Sequence, residues 1–378
     1  MAKKAEKTLS VDYKGKKGSP FVDIVGKEKN FLVLVLFGIM LSLVFYSNPF
    51  TAMWLGFFFA AYAAIANDSI QTIGTFIGSN MHQKWWVLWL FIGSIFLVTV
   101  TISWLLFDGD VTYQRLINEN NVTKYPHPES FSFVQVIAPL ILLIITRLRM
   151  PVSTTFLLLS AFSTDTSGIT DILNKSLSGY FLAFVFSFLI WAGLYNFISK
   201  NFKKRETHIG WTIAQWSISG LLWSVWLMQD AANISVFLPR RLSLADLLVF
   251  LTFIFLGLGL LMYLRGDRIQ KIVSEKKRIS DVRAATLIDF SYAILLIYKL
   301  FISTIPMSTT WVFLGVIGGR EIAISLMRKK KKHVHKKQAL WLVGKDMLYA
   351  LIGLLISVIL AVAVNPKIRE DLGNYFGL

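Results

Sequence analysis

TAMWLGFFFAAYAAIANDSIQTIGT, residues 51–75, sets the problem this chain poses. The run from Thr51 to Ala66 carries no charged side chain, and it ends on an amide and a carboxylate, Asn67 and Asp68. Gln71 follows three residues after Asp68, on the same face of a helix or at one helix break. An ionised carboxylate inside an apolar segment costs several kcal/mol unless it has a partner or faces a watery cavity. Working outward, apolar runs of about 18 to 25 residues recur along the chain, the length that crosses a hydrocarbon core at about 1.5 Å per residue. Of the 378 residues, 55% are hydrophobic and 16% charged. A soluble domain carries about a quarter charged residues, so this composition cannot cover a water-facing surface.

The pattern predicts an all-α polytopic membrane protein with about eleven transmembrane segments. The expected crossings lie near 31–46, 50–68, 85–107, 133–148, 150–170, 177–199, 210–230, 244–264, 284–303, 306–327 and 338–364. The net charge of +17 does not point to nucleic acid, because its basic residues sit in short clusters between apolar runs, as membrane orientation requires. Those clusters are the Lys-rich segment before residue 30, Arg147 with Arg149, KNFKKR at 200–205, residues 265–283 and RKKKKHVHKK at 328–337. Eleven crossings from a cytoplasmic N-terminus put all of them on the cytoplasmic side and the C-terminus outside. Arg240 and Arg241 are the exception. The expected location is a cytoplasmic (inner) membrane, with membrane lipid as surroundings and a homo-oligomer compatible with the sequence. There is no cysteine, hence no disulfide or thiolate metal site, and the five histidines (82, 127, 208, 333 and 335) fall in expected loops without ligand spacing.

A repeat emerges from the same segments. Residues 50–199 and 210–364 each hold five of them in the same order, flanked by a basic tail (1–29), an additional helix (30–49), a linker (200–209) and a C-terminal tail (365–378). The first segment of each half ends in an amide–acid pair, Asn67-Asp68 and Gln229-Asp230, and Asn233 follows the second as Gln71 follows the first. Each half then reaches a Pro-hydrophobic-Ser-Thr-Thr element, PVSTT at 151–155 and PMSTT at 306–310. From Asp68 to Ser153 is 85 residues, and from Asp230 to Ser308 is 78. Five crossings per half invert the second half relative to the first, which predicts two inverted-topology repeats with broken helices or re-entrant elements at the midplane, a transporter architecture.

The residue types say what such a site would hold. Carboxylates, amide oxygens and hydroxyls are hard oxygen ligands, suited to a small cation. Pro151 and Pro306 suit a first helical turn, and the hydroxyls of Ser153, Thr154, Thr155, Ser308, Thr309 and Thr310 would then stand at helix N-termini, where free N–H groups and the helix dipole favour anions. Gly74 and Gly78 have small-xxx-small spacing for helix packing, and Arg320 with Glu321 reads either as a buried ion pair or as a cytoplasmic helix end.

At these residues the chain resembles the inorganic phosphate transporter (PiT) family, sodium- or proton-coupled phosphate permeases with some sulfate-transporting members. That family shows two copies of G-A-N-D-x-A-N-A-x-G-T, each followed by P-[VI]-S-[TS]-T-H. Here the copies read ANDSIQTIGTFIGS from Ala66 and MQDAANISVFLP from Met228, and the likeness covers about residues 50–364. It implies a secondary active transporter of phosphate, an ion-coupled symporter and not an enzyme, without cofactor beyond a coupling cation, Na+ or H+. It places Asn67, Asp68, Asp230 and Asn233 about that cation and the six Ser/Thr residues about the anion; Gln71 and Gln229, paired with the acids by spacing, join the expected cation site. The departures are Gln71 for the second Asn of copy one, Gln229 for the first Asn of copy two, Phe156 and Trp311 for the closing His, and no Glu in the spans 85–107 and 244–264. They leave two alternatives, another oxyanion such as sulfate, or a transport-inactive homologue serving as sensor or scaffold.

Overall fold

A computed structural model describes residues 20–117, 125–147, 152–163, 166–201, 207–264, 281–302, 308–327 and 332–376. Every regular element among them is helical: α1 (Pro20–Phe45), α2 (Pro49–Ala63), a π-helical turn (Ala64–Asp68), α3 (Ser69–Ser79), α4 (Trp85–Leu106), α5 (Phe133–Arg147), α6 (Thr154–Ser160), α7 (Thr166–Asn201), α8 (Ile209–Ser235), α9 (Leu244–Tyr263), α10 (Val282–Ile302), α11 (Thr309–Met327), α12 (Lys332–Val364) and α13 (Pro366–Phe376). Among the described residues, seven helical segments are long and apolar enough to cross a membrane: 49–79, 85–106, 169–196, 244–263, 282–302, 309–327 and 339–364. Two shorter apolar helices lie at 29–45 and 133–147. This is an all-helical, multi-pass membrane protein. Its contacts divide it after Leu41, so most of α1 is one body and Ser42–Leu378 the other.

Several elements differ from expectation for local reasons. The expected tail at 1–29 is helical from Pro20, continuous with the apolar part of α1, and its residues 1–19 lie outside the described set. The basic run at 328–337 is not a loop throughout: α12 begins at Lys332 and takes in His333 and His335, since Lys, Gln and Ala are good helix formers. Residues 150–170 are not one helix. The seven-residue α6 ends in a turn at Ala161 and α7 starts anew at Thr166. The C-terminal tail is helical, with Asn365 Nδ2 donating to the Ser163 carbonyl and Thr166 Oγ1 to Asp371 Oδ2 (3.0 Å), so α13 is tied to the α6–α7 junction.

The helices are held by caps and by close approach. Asn48 caps α2 ahead of Pro49, and Ser243 caps α9 with Asp246 in its first turn. The tightest pair is α7 with α11, where Gly315 and Gly319 form a G-x-x-x-G stripe lying on the backbone of Tyr180 and Phe184. Outward-facing apolar side chains such as Phe181, Leu189, Leu256, Leu260 and Phe301 are exposed, as a lipid-facing surface requires.

The loop chemistry explains the misplaced arginines. Arg240 folds back on the end of α8, donating to the carbonyls of Val236 (3.0 Å), Leu238 (2.6 Å) and Ser235 (3.3 Å), and to Tyr125 O (2.8 Å). It is spent on orphan helix carbonyls rather than on solvent, and burial pushes its guanidinium down to about 10. Arg241 pairs with Asp108 at the surface. Burial, then the charge of Arg240, also lowers the His127 imidazole below its ordinary value. The folded protein therefore binds fewer protons there than the unfolded chain, and this contribution is full at neutral pH and lost as pH falls through the unfolded value of about 6.5. Thermal unfolding at pH 7.5 and 5.5 should show a smaller acid penalty for His127→Gln than for the unmodified protein; equal penalties would contradict the placement.

Candidate functional site

The site grows from a break in regular structure. The π-helical turn Ala64–Asp68 inserts an extra residue between α2 and α3, a distortion found often at functional positions. It carries Asn67 and Asp68, both buried, with Asn67 Nδ2 donating to Asp68 Oδ1 (2.6 Å) and Gln71 Nε2 to Asn67 Oδ1 (3.1 Å). In the second half α8 runs through without interruption, and Asn233 Nδ2 donates to Asp230 Oδ1 (2.5 Å). Each carboxylate thus keeps one asparagine donor, from the preceding residue in one case and the next turn in the other. Gln71 reaches Asp68 only through Asn67, and Gln229 Nε2 donates to the carbonyls of Leu296 (3.2 Å) and Val225 (3.4 Å). Its Nε2 is thus engaged outside the Asp230–Asn233 pair.

The two Ser-Thr-Thr elements meet these carboxylates crosswise. Ser153 and Ser308 are N-caps, accepting from Phe156 N (2.9 Å) and Trp311 N (3.2 Å). The helices begin at Thr154 and Thr309, and the expected first-turn positions Pro151 and Pro306 lie outside the described residues. Thr155, from the first half, donates to Asp230 Oδ1 (3.3 Å) and accepts from Asn233 Nδ2 (3.0 Å), both in the second half. Thr154 lies against Asp68, Thr309 against Asp230. Trp226 Nε1 donates to Thr309 Oγ1 (3.3 Å), and the Tyr292 hydroxyl to Thr309 O (3.0 Å). Thr310 is drawn off to the Val152 carbonyl (3.4 Å). With seven residues, α6 presents hydroxyls and N–H groups but little dipole; the 19-residue α11 supplies the longer dipole.

Four oxygens at this place are buried and close no hydrogen bond of normal geometry among the described residues, although Thr154 faces Asp68 and Thr309 faces Asp230: Asp68 Oδ2, Asp230 Oδ2, Asn233 Oδ1 and Thr154 Oγ1. Buried polar atoms are almost always satisfied, so four in one cluster, all oxygen, mark a place built for something that accepts their lone pairs. The carboxylates feel each other's charge. A guanidinium joins them from the loop after α4: Arg115 is 7% exposed, lies within electrostatic reach of Asp230 and is pushed down to about 10 by burial.

Sequence reasoning missed Arg115, Trp226, Tyr292 and a further buried carboxylate, Asp289. Arg115 was hidden among loop charges, and no spacing rule brings it inward. Asp289 was visible as a lone acid within the apolar segment 284–303, the same signal that singled out Asp68. Arg320 and Glu321 form an ion pair, with the guanidinium 4.8 Å from the Trp191 ring centroid, and take no part in the site. No family model, curated protein or solved structure matches the chain.

Proposed function

We propose that this protein is a secondary active transporter, an ion-coupled symporter of inorganic phosphate working by alternating access between two inverted halves. The observation that carries the reading is the cluster of buried oxygens without a normal hydrogen bond on Asp68, Asp230, Asn233 and Thr154, set beside the hydroxyl-bearing starts of α6 and α11. The PiT likeness of the two signatures supports it and now rests on those residues alone.

The electrostatics give a reason for coupling. Two carboxylates and one guanidinium leave the empty site net negative, and in a low-dielectric interior that repels an oxyanion. One or two bound cations, Na+ or H+, reverse the sign. The anion then meets Arg115, the hydroxyls of Thr154, Thr155 and Thr309, and the N-terminus of α11. Cation and anion each raise the other's affinity, reciprocally. Phosphate, unlike sulfate, can donate a hydrogen bond, and the free oxygens of Asp68 and Asp230 are acceptors for it. All of these protein groups are shielded from solvent, as in an occluded state.

The deciding experiment is radiolabelled phosphate uptake into proteoliposomes of the purified protein, with and without inward sodium or proton gradients and with sulfate as competitor. Gradient-dependent uptake unaffected by sulfate is expected. No flux of either anion under any gradient would overturn the reading in favour of a sensor or scaffold. Thr154→Val, which removes a hydroxyl that closes no hydrogen bond of normal geometry, should leave the melting temperature within about a degree or two and weaken phosphate affinity about tenfold, equal to about 1.4 kcal/mol. A phosphate titration of that variant matching the unmodified protein would remove Thr154 from the site.

A further inference from the structure

Asp289, on α10, belongs to none of the groups assigned above. It is 1% exposed, and both carboxylate oxygens are held by neutral donors: Thr75 Oγ1, from α3, on Oδ1 and Ser219 Oγ, from α8, on Oδ2 (2.6 Å). Among the described residues, the charges around it do not compensate it. α3 has no charged residue and α8 only Asp230. On α10 itself Arg283 is paired with Asp281, and Lys299 reaches Ser178 Oγ (3.2 Å). Of the other helices packed on α10, α11 brings the mutually paired Arg320 and Glu321, and α7 brings Asp171 and Lys175 in its first turns. A carboxylate buried in a membrane span without a countercharge is costly enough that it normally holds a proton or another cation.

Its position gives that cation a route. On α3 the residues Asp68, Thr72, Thr75 and Ser79 fall on one face at helical spacing, and Gln215, Ser219, Trp226 and Asp230 do the same on α8. Between Asp289 and the central site stand Thr72 and Tyr292, which lie against each other. On the far side, Asn80 Nδ2 donates to Gln215 Oε1 (2.7 Å) and Trp216 Nε1 to Asn80 Oδ1 (3.1 Å), with Ser79 joined to Gln215. Ser219 and Asp230 are about three turns apart, ~16 Å along α8. Polar groups thus recur between the Asp68–Asp230 site and the buried Asn80–Gln215 pair, and Asp289 is the charged group among them.

We propose that Asp289, with the hydroxyls of Thr75 and Ser219, is a second cation site that takes a monovalent cation, sodium or a proton, on its way between the central site and the Asn80–Gln215 end. The proposal rests on the transport reading. Its test is equilibrium binding of radiolabelled sodium alone to the purified full-length protein, together with the pH profile of phosphate uptake. If the cation is sodium, Asp289→Asn should lower the binding stoichiometry by one site. If it is a proton, sodium binding stays unchanged and the pH profile loses a titrating step. Thr75→Val and Ser219→Ala keep the carboxylate, so they carry the test if Asp289→Asn does not fold, and each should weaken the affected cation about tenfold. A phosphate-transporting protein whose Asp289→Asn, Thr75→Val and Ser219→Ala forms keep the same sodium stoichiometry, affinity and pH profile would make Asp289 a structural clasp and overturn this proposal alone. An unmodified protein that neither binds cations nor moves phosphate would overturn the transport reading and this inference with it.

Discussion

Asp230→Asn should lower the initial rate of phosphate uptake by at least about a hundredfold while leaving the protein folded and monodisperse in detergent. A hundredfold is about 2.7 kcal/mol, a modest share of what one full charge at a few ångströms is worth to a cation away from water. The substitution keeps the shape of the side chain and replaces one oxygen by an N–H donor. That donor would point where the unpartnered Oδ2 now points, repelling a cation in place of binding it. Asn233 and Thr155 converge on the other oxygen, Oδ1, so the immediate packing should survive. Asp68→Asn should behave alike, because Asp68 has the same arrangement of one asparagine donor on Oδ1 and a free Oδ2. Uptake at the unmodified rate in either variant, at matched protein per vesicle, would refute the cation-binding role of that carboxylate.

The second large effect concerns the scaffold. Gly319→Ala should destabilise the protein by about 3 kcal/mol, at the upper end for an overpacked core, measured as a fall in the melting temperature of the detergent-solubilised protein. A Cβ at Gly319 would stand 2.2 Å from the Phe184 carbonyl oxygen and 2.9 Å from Phe188 N. Both are backbone atoms, so no change of rotamer relieves the clash, and α7 and α11 have to separate. One turn earlier, Gly315 repeats the situation against Tyr180 O at 2.5 Å. Gly344→Ala is the control: nothing lies within 4 Å of its Cβ, and the change should be neutral or slightly stabilising. Since α11 carries Thr309 at its head, the loosened Gly319→Ala form should also transport less per folded molecule. A melting temperature unchanged by Gly319→Ala would mean that the helix pair is not held by this stripe.

How much of this was legible beforehand depended on whether the signal was local. The lengths of the apolar runs located the seven long helices, because crossing a membrane imposes both length and composition on a segment, whereas 150–170 breaks into α6 and the start of α7. Ser153 and Ser308 were legible as helix starts, because capping is decided within three residues. The burial of Asp68 and Asp230 was legible because an acid in an apolar run has few inexpensive explanations. The π-helical turn under Asn67 was not, since no residue type marks it. The direction in which Gln229 turns depends on a carbonyl of α10, and the inward reach of Arg115 on a loop fold with positive φ at Asp108, Gly109, Tyr113 and Gln114; neither is written in spacing. The G-x-x-x-G of Gly315 and Gly319 has the same spacing in the sequence as Gly74 and Gly78. Spacing alone cannot say which stripe meets a neighbouring backbone.

The crosswise contact of Thr155 with Asp230 and Asn233 has a consequence for heredity. The Thr155 hydroxyl, encoded before residue 202, meets a carboxylate and an amide encoded after residue 206, so a lesion in either stretch disturbs the other. Two fragments divided within residues 202–206 and expressed together would be expected to restore uptake that neither restores alone.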